Sequence, residues 1–310
     1  MRGIACGPDK NRHKMDSNPL FKPDNACKTD QEFFKKRFKR LCDSDIQSDC
    51  EFIVGSNKFV IKGHKLIFSM ASPVFYDMFY GKNGIDPKVI VKDLNVYGFK
   101  AMKEFIYTGG VDFKSYQNST SNYVLCTYIA ATKFKIVQLV SKCIKFMEDE
   151  INSDPPQVIC YFNNSNYIWN DTADQLNKIC RKAIETHTQK ILSNNVFLSA
   201  DPRTVDWILN LESLALKSEL ELFKLFETWA LAKAKRENIA MDKMGIMFND
   251  LQKHIRFLTM TAKEFAEAAK SPLLTEGEKL AIALNMAEFG ATPYPGHLSA
   301  NRVKRNFTRK

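Results

Sequence analysis

The stretch DCEFIVGSNKFVIKGHKLIFSMASPVFYDMF, residues 49–79, decides the fold. Phe52 and Val54 alternate with Ile53, and Phe59 and Ile61 with Val60, so two β-branched and aromatic runs flank Gly55-Ser56-Asn57. That is turn chemistry between alternating runs, and it predicts an antiparallel hairpin. After Gly63 the period becomes helical. Leu66, Ile67 and Met70 fall on one face, Ser72-Pro73 restarts the chain as N-cap and first helical residue, and Phe75, Met78 and Phe79 follow. Further out, VIVKDL (89–94) reads as a short strand and residues 96–109 as a helix with an aromatic end. Residues 123–131 and 136–151 read as two more helices. In the second, Val140, Ile144 and Met147 recur three or four apart and mark a buried stripe.

Asp49 at the first strand, Gly63-His64-Lys65 at the strand-to-helix junction, and Ser72-Pro73-Val74-Phe75 with Met78-Phe79 behind it stand in an order and spacing that resembles the BTB/POZ domain. The resemblance implies an α+β fold, a short β-sheet flanked by helices. It also implies a homodimer, in which a helix over 31–42 turns Phe34, Phe38 and Leu41 toward a second subunit, and Asp49 and Lys65 take the places of a semi-buried acid and base. The alternatives are packing of that helix on its own domain, a solvent-exposed cap at Asp49 and a surface lysine at Lys65. The family's best-attested role, bridging a client to a cullin-3 ubiquitin ligase scaffold, implies Tyr76, Met78, Ile85 and Tyr107 as candidate cullin contacts. Phe75 and Phe79, four apart, read as core. One departure stands out: cullin-binding members often carry a hydrophobic residue two before a glutamate, whereas Ile85 is followed by Asp86 and Pro87.

Beyond residue 151 the patterns are helical only, broken at Asp154-Pro155-Pro156, Asn194-Asn195 and Asp201-Pro202, and no strand stands out. Leu222 or Phe223, Phe226 and Trp229 fall at three-residue steps, and two helices are expected after Thr259 and Thr275. Together these segments resemble the all-α BACK domain. The organisation read is a disordered segment at 1–30, the BTB/POZ domain with its dimerisation helix at 31–151, the BACK helical domain at 152–290 and a basic tail at 291–310. In the subgroup most resembled a PHR-type β-sandwich follows. Here Thr292-Pro293-Tyr294-Pro295-Gly296 leads instead into NRVKRNFTRK, read as disordered, with a flexible anchor or a nuclear import signal as the other readings.

At 310 residues, 45% apolar and 26% charged, the chain suits two compact cores. No run of eighteen apolar residues and no apolar stretch after the early arginine occurs, so neither secretion nor a membrane span is expected. The eight cysteines are never closer than eight residues, which excludes a C-x-x-C zinc half-site and points to reduced thiols in the cytoplasm, with the nucleus as a second compartment.

The net charge of +10 is uneven. Residues 1–47 hold eleven Lys/Arg against seven Asp/Glu, and residues 301–310 hold five with no acid. A nucleic-acid surface spreads over a folded face, so the Lys35–Arg40 run reads as the solvated side of an amphipathic helix and nucleic acid is not an expected partner. No G-x-S-x-G, Walker loop, G-x-G-x-x-G or H-E-x-x-H occurs, the five histidines are scattered, and His64 reads as a structural hydrogen-bonding group. No cofactor, metal or catalytic role is expected. The reading is a non-catalytic homodimeric adaptor that recruits a protein client to a cullin-3 ligase for ubiquitin-dependent degradation. The alternative is an oligomerisation scaffold without ligase activity, transcription-linked or modulating full-length relatives.

Overall fold

A computed structural model of the chain describes residues 30–82, 87–114, 123–163, 174–240 and 243–308. It forms two compact units that divide between Lys145 and Phe146.

The first unit begins with α1 (Asp30–Asp43), followed by a hairpin of β1 (Cys50–Val54) and β2 (Phe59–Gly63). Gly55 takes φ +74° in the turn, where a side chain would be strained. Two helices, α2 (Lys65–Ala71) and α3 (Pro73–Tyr80), carry the chain over to β3 (Lys88–Val91). The three-stranded sheet has the order β2-β1-β3. Phe52 on the central strand stands opposite Ile61 in the antiparallel pair and opposite Val89 in the parallel one. A parallel neighbour requires a crossover connection, and the two helices supply it. α4 (Val96–Thr108), α5 (Tyr123–Lys133) and α6 (Val137–Ser153) follow, the last running past the division.

Alternation on β1 buries Cys50, Phe52 and Val54 on one face. There Phe52 meets Phe68 at 4.8 Å between ring centroids, Phe99 at 4.9 Å, Phe75 at 5.6 Å and Phe79 at 6.0 Å. Tilted and edge-on rings at these separations add to burial, and truncating one such fully buried phenylalanine costs about 3–5 kcal/mol. Ser72 joins two links of this core: its Oγ accepts the Phe75 N–H as the N-cap of α3 and donates to the Phe134 carbonyl at 2.5 Å. α4 and α5 touch at Gly98, where a Cβ would stand 2.3 Å from the Cys126 carbonyl oxygen, so only glycine permits that approach.

The second unit is helical: α7 (Gln157–Asn163), α8 (Asp174–Leu192), α9 (Asn195–Leu198), α10 (Pro202–Leu209), α11 (Glu219–Glu237), α12 (Met244–Met247), α13 (Asn249–Gln252), α14 (Ala262–Ala268) and α15 (Glu276–Ala287). The expected breaks hold. Asn194 caps α9 through its side chain and Asp201-Pro202 opens α10. α11 buries Leu222, Phe223, Phe226 and Trp229 completely, and the Trp229 indole N–H donates to the Ala200 carbonyl at 3.0 Å.

Three expectations are corrected in this unit. The first of the two late helices starts at Thr261, not at Thr259, because Thr261 and Glu264 close a reciprocal capping box, as Thr275 and Glu278 do for α15. Strands exist: β4 (Ser213–Leu214) pairs in parallel with β5 (Asn306–Phe307), each too short to leave a periodic signal. The basic tail is packed, as far as Thr308. Leu298 is buried, Arg302 stands 4.9 Å from the Phe289 ring centroid, and Arg305 lies within the unit with 1% of its side chain exposed. The segment read as disordered at 1–30 lies outside the described residues apart from Asp30.

Candidate protein-interaction surface

The helix pattern read for 66–70 is a face, but it points to solvent. Phe68 is the residue of α2 that enters the core, while Leu66 is 63% and Met70 80% exposed. On α1, Phe33 and Phe34 are exposed and Phe38 and Leu41 half-buried, with Phe34 and Phe38 in ring contact at 4.6 Å. Both helices pack on α4. Four large apolar side chains thus stand uncovered on two helices over a common support, against the usual depletion of apolar groups from amphipathic outer faces. The sequence pattern placed Leu66, Ile67 and Met70 on one face, and nothing in periodicity alone tells an inward apolar stripe from an outward one.

α3 presents a second aromatic surface. Phe75 and Phe79 are buried as expected, and Tyr76 and Tyr80 project from the other side with ring centroids 6.0 Å apart. Met78 is half-buried. Tyr80 had been missed although it lies one helical turn beyond Tyr76, a spacing that puts both on one face. Ile85 and Asp86 lie outside the described residues, and the Pro87 carbonyl accepts the Glu51 N–H at 2.8 Å.

Tyr107 does not belong to that surface. It is 5% exposed, and its hydroxyl accepts the His64 backbone N–H at 3.0 Å and lies 2.7 Å from His64 Nδ1. His64 Nε2 faces the Ile46 carbonyl at 2.9 Å, and a carbonyl only accepts. The proton therefore sits on Nε2, and Nδ1 accepts from the tyrosine hydroxyl. Burial pushes the Tyr107 phenol above its ordinary value, so it stays a donor. The histidine is the structural hydrogen-bonding group its position implied: it ties the loop before β1 to the end of α4.

Asp49 and Lys65 meet, but through the backbone. Asp49 is exposed, and its Oδ1 accepts the Lys65 N–H at 2.8 Å. It caps α2 from outside the helix, because the N-cap residue His64 makes no side-chain cap. The Lys65 ammonium rests 5.8 Å from the Phe79 ring centroid. Within a single chain the pair is thus an exposed cap and a half-exposed lysine.

Reactive chemistry finds no constellation. Among the described residues no group of three His, Cys, Asp or Glu side chains is placed to hold a metal ion, and no helix is long and apolar enough to cross a membrane. The six described cysteines are free thiols. Burial raises Cys42 to about 11 and Cys50 and Cys180 to about 12, which keeps them protonated and poorly nucleophilic near neutrality.

Residues 38–151 match the family model for the BTB/POZ domain, and residues 171–270 match that for BACK, "BTB And C-terminal Kelch". The chain is similar to BTB/POZ domain-containing protein 3 of Homo sapiens, 28% identical over 255 residues covering 79% of this chain and 46% of that protein. The Mus musculus protein of the same name gives 28% identity over 79% of this chain and 45% of the relative. BTB/POZ domain-containing protein 6 of Xenopus tropicalis is 26% identical over 259 residues, 81% of this chain and 46% of the relative. The chain spans somewhat less than half the length of these relatives.

Proposed function

From the premise that this chain belongs to the proteins carrying a BTB/POZ domain followed by a BACK domain, we propose that it is a non-catalytic, homodimeric protein-interaction adaptor serving a cullin-3 ubiquitin ligase. The observation that carries this reading is the uncovered apolar surface of the first unit: Phe34, Leu66 and Met70 on α1 and α2, and Tyr76 and Tyr80 on α3. Apolar groups exposed on rigid helices gain most by being covered by another polypeptide, at roughly 25 cal/mol per Å² removed from water.

α1 and α2 are assigned to the homodimer, with Phe38, Leu41, Asp49 and Lys65 at its margin. Tyr76, Tyr80 and Met78 on α3 are assigned to cullin-3, together with Ile85. Aromatic side chains on a rigid helix are the residue type that dominates such interfaces. An adaptor of this kind acts by proximity: two-fold assembly holds a bound client near the transfer enzyme and raises its effective concentration. The client is a protein held outside the BTB/POZ unit.

Light scattering of the purified chain at micromolar concentration tests the dimer, and a pull-down with the purified cullin-3 N-terminal region tests the ligase link. A monomeric mass, or no cullin binding at tens of micromolar, overturns the respective assignment. The second reading, a scaffold that oligomerises without a ligase, is favoured by one sequence observation: Asp86-Pro87 stands where cullin-binding members carry a hydrophobic-x-Glu pattern.

A further inference from the structure

The last described stretch lies on the second unit as a bound peptide lies on its receptor. From Glu288 to Arg305 the chain forms neither helix nor strand, and between 299 and 304 no residue is buried. Two side chains seven residues apart enter the body, Leu298 and Arg305, each 5% exposed. Beyond them β5 adds to β4 in parallel: the Asn306 N–H donates to the Glu212 carbonyl at 2.9 Å, and the Thr308 N–H to the Leu214 carbonyl at 3.1 Å. Main-chain pairing to a strand, with separate pockets for anchoring side chains, is a general mode of recognising extended peptides.

The socket for the arginine is held by contacts that do not involve the tail. Glu219, at the start of α11, accepts the Arg256 N–H at 2.9 Å, and Arg256 pairs with Glu212. The Leu211 and His254 carbonyls supply the other acceptors, so all three guanidinium nitrogens of Arg305 are met. A planar fork of donors facing one carboxylate and two carbonyls selects arginine over lysine. Arg256 also donates to the Val303 carbonyl at 3.0 Å, a contact that the main chain of any residue can make. Burial works against the charge on both Glu219 and Arg305, so the clasp holds less tightly than its geometry suggests.

We propose that this groove is a binding site for an extended segment of a client protein, selected by an apolar residue and an arginine seven positions later, and that the chain's own tail occupies it as a competitor in cis. The occupant follows from complementarity: one buried carboxylate with two carbonyls matches one guanidinium, and β4 receives one strand. The residues between the two anchors are not buried, so other sequences can bridge them. The proposal rests on the adaptor reading for the word client. Its test involves neither cullin-3 nor the dimer, so each can fail alone.

A synthetic peptide of residues 296–308 is passed over the immobilised full chain and binding is read by surface plasmon resonance. A tail in cis acts at an effective concentration on the order of 1 mM, which sets the expected half-saturation of the wild-type chain near that value. Arg305→Ala in the chain weakens the competitor and leaves the socket, so half-saturation falls about tenfold or more and the peptide raises the melting midpoint of the variant. Where Arg305→Ala does not fold, Asn306→Pro, which deletes the donor to Glu212, weakens the competitor in its place. A peptide of unrelated sequence that keeps only the leucine and the arginine at their spacing is expected to bind within about tenfold of the tail peptide, and the tail peptide with Arg305→Lys about tenfold more weakly or not at all. No binding to the wild-type chain at about 5 mM peptide identifies a permanent strap and overturns the proposal. Equal binding of the lysine peptide, failure of the unrelated peptide, or equal affinity of the wild-type and weakened chains also overturns it.

Discussion

Replacing Arg305 with alanine tests the packing of the C-terminal segment most directly. Arg305 and Glu219 are the most deeply buried ion pair among the described residues, with 1% and 2% of their side chains exposed. The guanidinium Nε donates to both Glu219 oxygens at 3.2 and 3.3 Å, one terminal nitrogen donates to the His254 carbonyl at 2.5 Å, and the other bonds the Leu211 carbonyl. Glu219 also accepts the Arg256 N–H at 2.9 Å, and Arg256 in turn holds Glu212 and the Val303 carbonyl.

Burial raises the Glu219 carboxyl above 4.5, against the opposing pull of Arg305, and lowers the Arg305 guanidinium, so on both partners desolvation outweighs attraction. The pair contributes less than its geometry suggests, but losing one member is severe. Arg305→Ala leaves Glu219 charged and uncompensated, a loss of about 3–5 kcal/mol. For a unit of this size that lowers the melting midpoint by roughly 6–20 °C.

Trp207 and Trp229 lie in the second unit, Trp169 lies outside the described residues, and residues 1–145 hold no tryptophan, so intrinsic fluorescence during urea or thermal unfolding is blind to the first unit. The pH dependence provides the sign. A carboxyl whose folded pKa is raised binds protons more tightly when folded, so its contribution is fully present below 4.5 and is lost as pH rises through the raised value. Arg305→Ala raises that value further. Its penalty is therefore complete at neutral pH and shrinks as pH falls toward 4.5, where Glu219 accepts a proton. Arg305→Met combined with Glu219→Gln is expected to recover much of the loss, with positive coupling in the double-mutant cycle. A loss below about 1 kcal/mol, or one that is independent of pH, refutes the clasp.

On the proposed homodimer, Leu66→Glu with Met70→Glu should give a monomeric mass in light scattering, with little change in thermal stability because both side chains are already in water. For the proposed cullin-3 contact, Tyr76→Ala and Tyr80→Ala should each weaken binding by about 1–2 kcal/mol in calorimetry and leave the mass in light scattering unchanged. Gly98→Ala should destabilise the first unit by about 1–3 kcal/mol or more, read from circular dichroism melts, because the new Cβ meets backbone rather than a flexible side chain.

The local structure of the first unit was legible because each signal had a local cause. Turn residues at Gly55-Ser56-Asn57, the Ser72-Pro73 restart and the alternation that buries Phe52 each act within a few residues. The aromatic pair at Phe75 and Phe79 was read as core for the same reason. Tyr107 was misread as surface because its partner, His64, stands 43 residues away and only the fold brings them together.

By itself the sequence determined the early hairpin, the Ser72-Pro73 restart and the helix breaks at Asn194 and Asp201, since these depend on neighbours along the chain, but not the Thr261 start or the two-residue strands. Only the tertiary structure decided which apolar stripe turns inward, so that Phe68 is buried while Leu66 and Met70 are not. It also decided that the last ten residues, with five basic side chains and no acid, carry a buried arginine, because the carboxylate that receives Arg305 lies 86 residues upstream. The physical reason is common to both: burial and charge pairing are set by what arrives from elsewhere in the chain, and no local pattern records the arrival.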